Sequence, residues 1–170
     1  MANAVCKILV TEKRLEPAVE ETDGNSGAVV EFFGIVRRDE NGREIEGIEY
    51  EAHLAMAEHQ LRQIAEDAAA RFSLRSVTIH HRIGFVGVGE ASLFLQVRAS
   101  HRGAAFEASQ WIVDELKKKV PIWKKPKFKK NFAAGVVDAG PQAEGCSHAP
   151  VARGQQRNTE SAAQRAAATE

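Results

Sequence analysis

The chain has 170 residues, 44% of them hydrophobic and 27% charged, the composition of one soluble globular domain with enough apolar material for its own core. Its 23 basic and 23 acidic residues cancel, which argues against a protein that grips nucleic acid through a broad basic footprint. No apolar run approaches the roughly 18 residues of a membrane span, and the opening MANAVCKILVTEKR lacks the apolar stretch of a secretory signal, so a cytoplasmic protein that does not enter a membrane is expected.

In chain order, a first strand and a short helix are expected ahead of residue 27. Residues 27–38, GAVVEFFGIVRR, are rich in β-branched and aromatic residues, and the Asn-Gly of DENGR precedes EIEGIEYEA; this predicts a β-hairpin. From Leu54 the period changes. Leu54, Ala57, Leu61, Ile64, Ala65, Ala68 and Phe72 recur at helical spacing with charges between them, as an amphipathic helix requires. RSVTIHHRI (75–83) and ASLFLQVRA (91–99) read as two strands of a second hairpin around the Gly-rich GFVGVGE. Ser100 is placed to cap a second helix whose stripe is Ala105, Ser109, Ile112 and Leu116, and Pro121 ends it. The basic segment that follows forms a last strand. Antiparallel hairpins with two main helices between them make the fold class α+β. Residues 1–132 are expected to be the folded domain. Residues 133–170, poor in large apolar residues, are expected to be a flexible or disordered tail.

Charge is uneven along the chain. Residues 117–130 hold eight lysines and no acid, whereas residues 1–116 hold 12 basic residues against 19 acidic ones. The helix dipole accommodates Lys117, Lys118 and Lys119 in a last turn, at ~0.3–1 kcal/mol each, and so explains that cluster without a function. It does not explain Lys124 and Lys125 beyond the proline. If Ile122 and Trp123 both pack inward, Lys124 is carried back toward Lys117, and two such ammonium groups favour one acting as a base while the other holds an anion. His101-Arg102 opens the same helix, where free backbone amides favour phosphate; a surface cap is the bland reading. Arg37 ends a strand beside Arg38, where a solvated cation is equally natural. His80 and His81 face opposite sides of a strand and cannot share a metal. Cys6 and Cys146 stand alone, and no HExxH, P-loop, GxSxG or GxGxxG pattern occurs. Neither a metal nor a cofactor is expected.

FFGIVRRDENG (32–42), YEAHLAMA (50–57), HRIGFVGVGE (81–90), ASHRGAAFEA (99–108) and LKKKVPIWKK (116–125), taken in succession, resemble the catalytic (large) subunit of molybdopterin synthase. The resemblance implies an α/β hammerhead-type fold and a homodimer within a heterotetramer. It also implies a small ubiquitin-like sulfur-carrier subunit whose C-terminal Gly-Gly thiocarboxylate enters a pocket here. The substrate it implies is cyclic pyranopterin monophosphate, converted to molybdopterin by two sulfur transfers. Carried over by position, the essential lysine falls on Lys117 and its assistant on Lys124. Arg37, His101, Arg102 and Lys125 fall among residues that hold phosphate or the carrier's carboxylate. The chain departs from the family pattern at Pro126, where an acid is usual, and at a partner-contributed arginine, which no position here matches, Arg153 and Arg157 being guesses. Two other readings stand beside this one: a homologue that docks the carrier without turnover, and a groove for single-stranded nucleic acid with Trp123 and Phe128 as stacking platforms.

Overall fold

The computed structural model describes residues 4–17 and 24–129; the tail expected from residue 133 lies outside the described residues. Eight strands and two helices follow in the order β1 (Val5–Thr11), β2 (Ala28–Ile35), β3 (Asp39–Glu40), β4 (Arg43–Ala52), α1 (Leu54–Phe72), β5 (Ser76–Arg82), β6 (Gly84–Gly87), β7 (Ala91–Ala99), α2 (Arg102–Lys119) and β8 (Ile122–Phe128). The class is α+β, as expected. One sheet has the order β1-β5-β7-β2; the other has β3-β4-β6, with β8 joined to β4.

The first sheet follows from strand alternation. Val77 and Ile79 on β5, Leu93, Leu95 and Val97 on β7, and the half-buried Cys6, Ile8 and Val10 on β1 share the face covered by both helices. The helices return Ala57, Leu61, Ile64, Ala65 and Ala68 from α1 and Ala105, Ile112 and Leu116 from α2. Ser109 is admitted to this apolar face because its hydroxyl donates to the Ala105 carbonyl at 2.7 Å. The β5–β7 hairpin pairs antiparallel as predicted. β1 adds to β5 in parallel, a pairing that periodicity does not reveal.

Four expectations are corrected. The Asn-Gly turn joins only β3 to β4: Asn41 and Gly42 take φ of 55° and 77°, and the Gly42 amide donates to Asp39. β2 instead leaves to pair with β7 across the other sheet, because Val36 is buried in a second core and pinned between the Glu90 carbonyl and the Gly89 amide. No helix occurs in residues 12–17 or 24–27, so the short early helix is absent there; residues 18–23 lie outside the described set. The cap of α2 is His101, in extended conformation and without a side-chain cap bond, one residue later than Ser100. Finally, Ile122 and Trp123 do not both turn inward. β8 pairs Ile122 with Ala52 and Trp123 with Glu51, so the two face opposite sides, and Trp123 is 55% exposed.

The segment HRIGFVGVGE has a structural explanation. Arg82 donates to Glu90 at 2.9 Å and to the Phe85 carbonyl at 3.2 Å, while the Gly87 amide donates to the same Glu90 oxygen. Those hydrogen bonds, with the guanidinium beside it, hold Glu90 below the usual carboxylate range. Gly84 and Gly89 supply the positive φ, 73° and 85°, at the two corners. The clamp carries β6 away from the first sheet and onto β4.

Candidate active site

α2 leaves the end of β7 through Ser100 and packs back over β7 and β2. Its last turn therefore returns to the end of the first sheet where Ala91 pairs with Ile35, two residues before Arg37. β8 follows directly after Val120 and Pro121. Lys117 lies in the last turn of α2, Lys124 is the third residue of β8 opposite Tyr50, and Arg37 stands two residues past β2, where the neighbouring Arg38 carbonyl accepts from the Ile45 amide at 2.9 Å, five residues along β4 from Tyr50. His101 and Arg102 stand apart from Lys117. They lie at the opposite end of α2, about 22 Å from Lys117 at 1.5 Å per residue.

The lysines separate by partner. Glu115 engages Lys119 at 2.6 Å and Lys118 at 3.2 Å; these bonds hold the Glu115 carboxyl below its ordinary range, and Lys119 is raised by the same contact. Lys125 reaches both oxygens of Glu51 at 2.6 Å, and Lys129 pairs with Glu44 at 2.8 Å. Lys117, Lys124 and Lys127 have no carboxylate partner among the described residues. Alternation then divides β8: Lys124 lies on the face of Tyr50, its cross-strand partner, while Lys125 and Lys127 lie on the outer face with Trp123. Arg37 is 82% exposed on its side chain and only grazes Glu40 at 4.0 Å. An unpaired ammonium group and an accessible guanidinium are each suited to holding a phosphate or stabilising developing negative charge.

Val36, Ile45, Ile48, Tyr50 and Val86 form a small second core. The Tyr50 hydroxyl donates to Ser92 Oγ at 3.2 Å, and Ser92 donates to the Gly34 carbonyl at 3.2 Å. Burial raises the Tyr50 phenol and lowers His81, whose ring lies edge-on to Tyr50 at 5.5 Å. His81 Nδ1 is 2.8 Å from the Arg82 carbonyl; a carbonyl only accepts, so Nδ1 carries the proton. His80 turns to the other face of β5, its ring 5.6 Å from Phe94. Among the described residues, no three His, Cys, Asp or Glu side chains converge as a metal site would require.

Sequence reasoning passed over Glu115 and Tyr50. Glu115 was detectable from its i,i+3 and i,i+4 spacing to Lys118 and Lys119. Tyr50 was marked by being the sole tyrosine, at the same strand parity as Ile48. The stacking groove loses its geometry: Trp123 and Phe128 are five residues apart on one strand, hence on opposite faces, and the Arg43 guanidinium covers the Phe128 ring at 3.9 Å.

Residues 8–119 match the family profile described as MoaE protein. The chain is 38% identical over 153 residues to the molybdopterin synthase catalytic subunit of Pyrococcus abyssi, spanning 86% of this chain and 97% of that one. Its fold is similar to the crystal structure of molybdopterin synthase from Staphylococcus aureus, with TM-score 0.64, 29% identity, and coverage of 76% of this chain and 94% of that one. A complex of subunits 1 and 2 of the molybdopterin-converting factor from Helicobacter pylori contains a chain of similar fold, with TM-score 0.54, 22% identity, and coverage of 76% and 92%.

Proposed function

The chain belongs to the MoaE protein family, and from that membership we propose the reaction that its cationic residues perform. It is an enzyme of molybdenum cofactor biosynthesis, a catalytic subunit of molybdopterin synthase. It converts cyclic pyranopterin monophosphate to molybdopterin, taking two sulfurs from the thiocarboxylated C-terminus of a small carrier subunit. In each transfer the thiocarboxylate sulfur of one carrier bonds to a side-chain carbon of the pterin while a carbon–oxygen bond at that carbon breaks, the oxygen staying on the phosphate as its ring opens in one transfer and leaving as water in the other; water then cleaves the resulting thioester and the carrier leaves with an ordinary carboxylate. Lys117 is the general acid/base and Lys124 assists it. Arg37 binds phosphate. Residues 1–132 are the catalytic domain, working in the cytoplasm; no helix among the described residues is long and apolar enough to cross a membrane.

The observation that carries this reading is the pairing pattern of the lysines. In a stretch where Lys118, Lys119, Lys125 and Lys129 are each held by a carboxylate, Lys117, Lys124 and Lys127 are left available, and of these Lys127 lies on the outer face of β8, away from Tyr50. His101 and Arg102, remote from Lys117 along α2, enter the pocket of a second copy, so the working unit is a homodimer with a carrier on each protomer. That arrangement gives the pocket a second anion-binding wall at the helix N-terminus. Lys125, ion-paired on the outer face, supports β8 and contacts the carrier at the rim of the pocket.

The deciding experiment is product formation by the full chain with thiocarboxylated carrier and cyclic pyranopterin monophosphate, beside Lys117→Ala. Wild-type turnover that falls by about 10²-fold or more in the variant, with carrier binding retained, is the expected result for loss of an acid/base group. Carrier binding without product from the wild type would identify a non-catalytic homologue.

A further inference from the structure

We propose that Tyr50 is a positioning residue for Lys124, and through it for the sulfur-transfer site; this rests on the reaction assigned above. Tyr50 is 8% exposed and stands in the middle of three strands, paired with Lys124 of β8 on one side and Gly84 of β6 on the other. Its hydroxyl does not end in its own sheet. It donates to Ser92 at the start of β7, which donates to Gly34 near the end of β2. Both acceptors belong to the first sheet.

The hydrogen-bonded chain therefore links the strand paired with Lys124 to the segment that leads to Arg37. At one end is the cross-strand partner of Lys124; at the other is the β2 residue three positions before Arg37, beside the register shift between Gly34 and Ile35. Gly34 lies close against β7, where an added Cβ would meet Leu93 Cβ at 3.1 Å, so the acceptor is itself fixed. A second contact, ring edge to His81, restrains the Tyr50 ring on the same sheet. Together these set the offset between the strand presenting Lys124 and the segment presenting Arg37, and sub-ångström placement of an acid/base group controls rate more than binding.

Burial alone does not require this hydroxyl. Phenylalanine fills the same volume, and Ser92 keeps its own bond to Gly34 when the phenol is removed, so Tyr50→Phe orphans no buried donor. The variant isolates positioning from packing.

The test is steady-state turnover of the full chain with its thiocarboxylated carrier. Tyr50→Phe is expected to lower kcat about fivefold, the rate equivalent of one neutral hydrogen bond, with KM, carrier affinity and thermal midpoint unchanged. Ser92→Ala, which also leaves the buried phenol without its acceptor, is expected to lower kcat at least as far and to lower the thermal midpoint, Ser92→Thr to keep the wild-type rate, and the Tyr50→Phe/Ser92→Ala double variant to return to the Tyr50→Phe rate. The discriminating arm is the Lys124→Ala background, where Tyr50→Phe should cost nothing further. A wild-type kcat in Tyr50→Phe, or an undiminished penalty without Lys124, overturns the proposal. A second readout needs no turnover and so separates this inference from the reaction on which it rests. In competitive acetylation followed by mass spectrometry, Tyr50→Phe is expected to change the labelling rate of Lys124 at least twofold while that of Lys127 stays constant. If wild type makes no product, unequal labelling still upholds the positioning and equal labelling rejects it.

Discussion

In the proposed reaction, a lysine is made functional by what its neighbours do not claim. Glu115 gathers Lys118 and Lys119, which leaves Lys117 as the cation of that turn open to a substrate. Replacing Glu115 with Gln releases two competing ammonium groups beside the site. The expected outcome is a rise in substrate KM with a smaller effect on kcat, read from saturation curves, because misdirected phosphate is a binding fault. His81 gives a pH signature of a different kind. Burial holds it below its usual value of about 6.5, so below that pH the unfolded chain takes up a proton that the folded chain refuses. Stability is then lost as pH falls from about 6.5 through the folded-state value. Thermal midpoints should decline between pH 7 and pH 5, with a shallower decline in His81→Gln; equal slopes would remove His81 as the cause. At this scale the sequence was informative about identity and weak about pairing. The residue types and the family-like order singled out Lys117 and Lys124, but the difference between Lys124 and Lys125 depends on which face of β8 meets Tyr50, and that requires a known partner strand.

Secondary elements were legible where their contacts are local. α1, the β5–β7 hairpin and the end of α2 at Pro121 all follow from periods and breakers within a few residues. The partners of β1 and β2 were not legible, because alternation marks the face of a strand without naming its neighbour; β2 finds β7 some sixty residues away. The same distinction predicts which substitutions break an element. Leu61→Ala and Ile112→Ala empty fully buried positions in the helix-covered core and are each expected to cost about 2–5 kcal/mol in denaturant unfolding. Gly47→Ala acts at a strand contact: a Cβ there would meet the Val86 carbonyl oxygen at 2.4 Å and the Phe85 ring at 2.6 Å. It should separate β6 from β4 and lower turnover along with the melting temperature, whereas Gly42→Ala, with nothing within 4 Å, should show only the smaller strain of its positive φ.

For the molecule as a whole, the length of α2 bears on the proposed assembly. With His101 and Arg102 about 22 Å from Lys117, one chain cannot place all of them around one small phosphorylated substrate, and in the proposed homodimer each pocket takes one set from each protomer. Mixing an inactive Lys117→Ala protein with an inactive Arg102→Ala protein should then restore about a quarter of wild-type activity: random exchange makes half of the dimers mixed, and each of those holds one pocket with both sets intact. Recovery that stays at the level of the separate variants would mean that each pocket is drawn from one chain. The exposed edge of β8 has a different consequence. Among the described residues this strand is paired on one side only, with β4, and along it stand Lys124, Lys125, Pro126 and Lys127. Like charges and a residue without an amide hydrogen make a poor template for another strand. The lysines and Pro126 are therefore expected to keep the newly made chain from sticking to its copies before its proper partners arrive, and Pro126→Val should reveal this as faster aggregation on refolding.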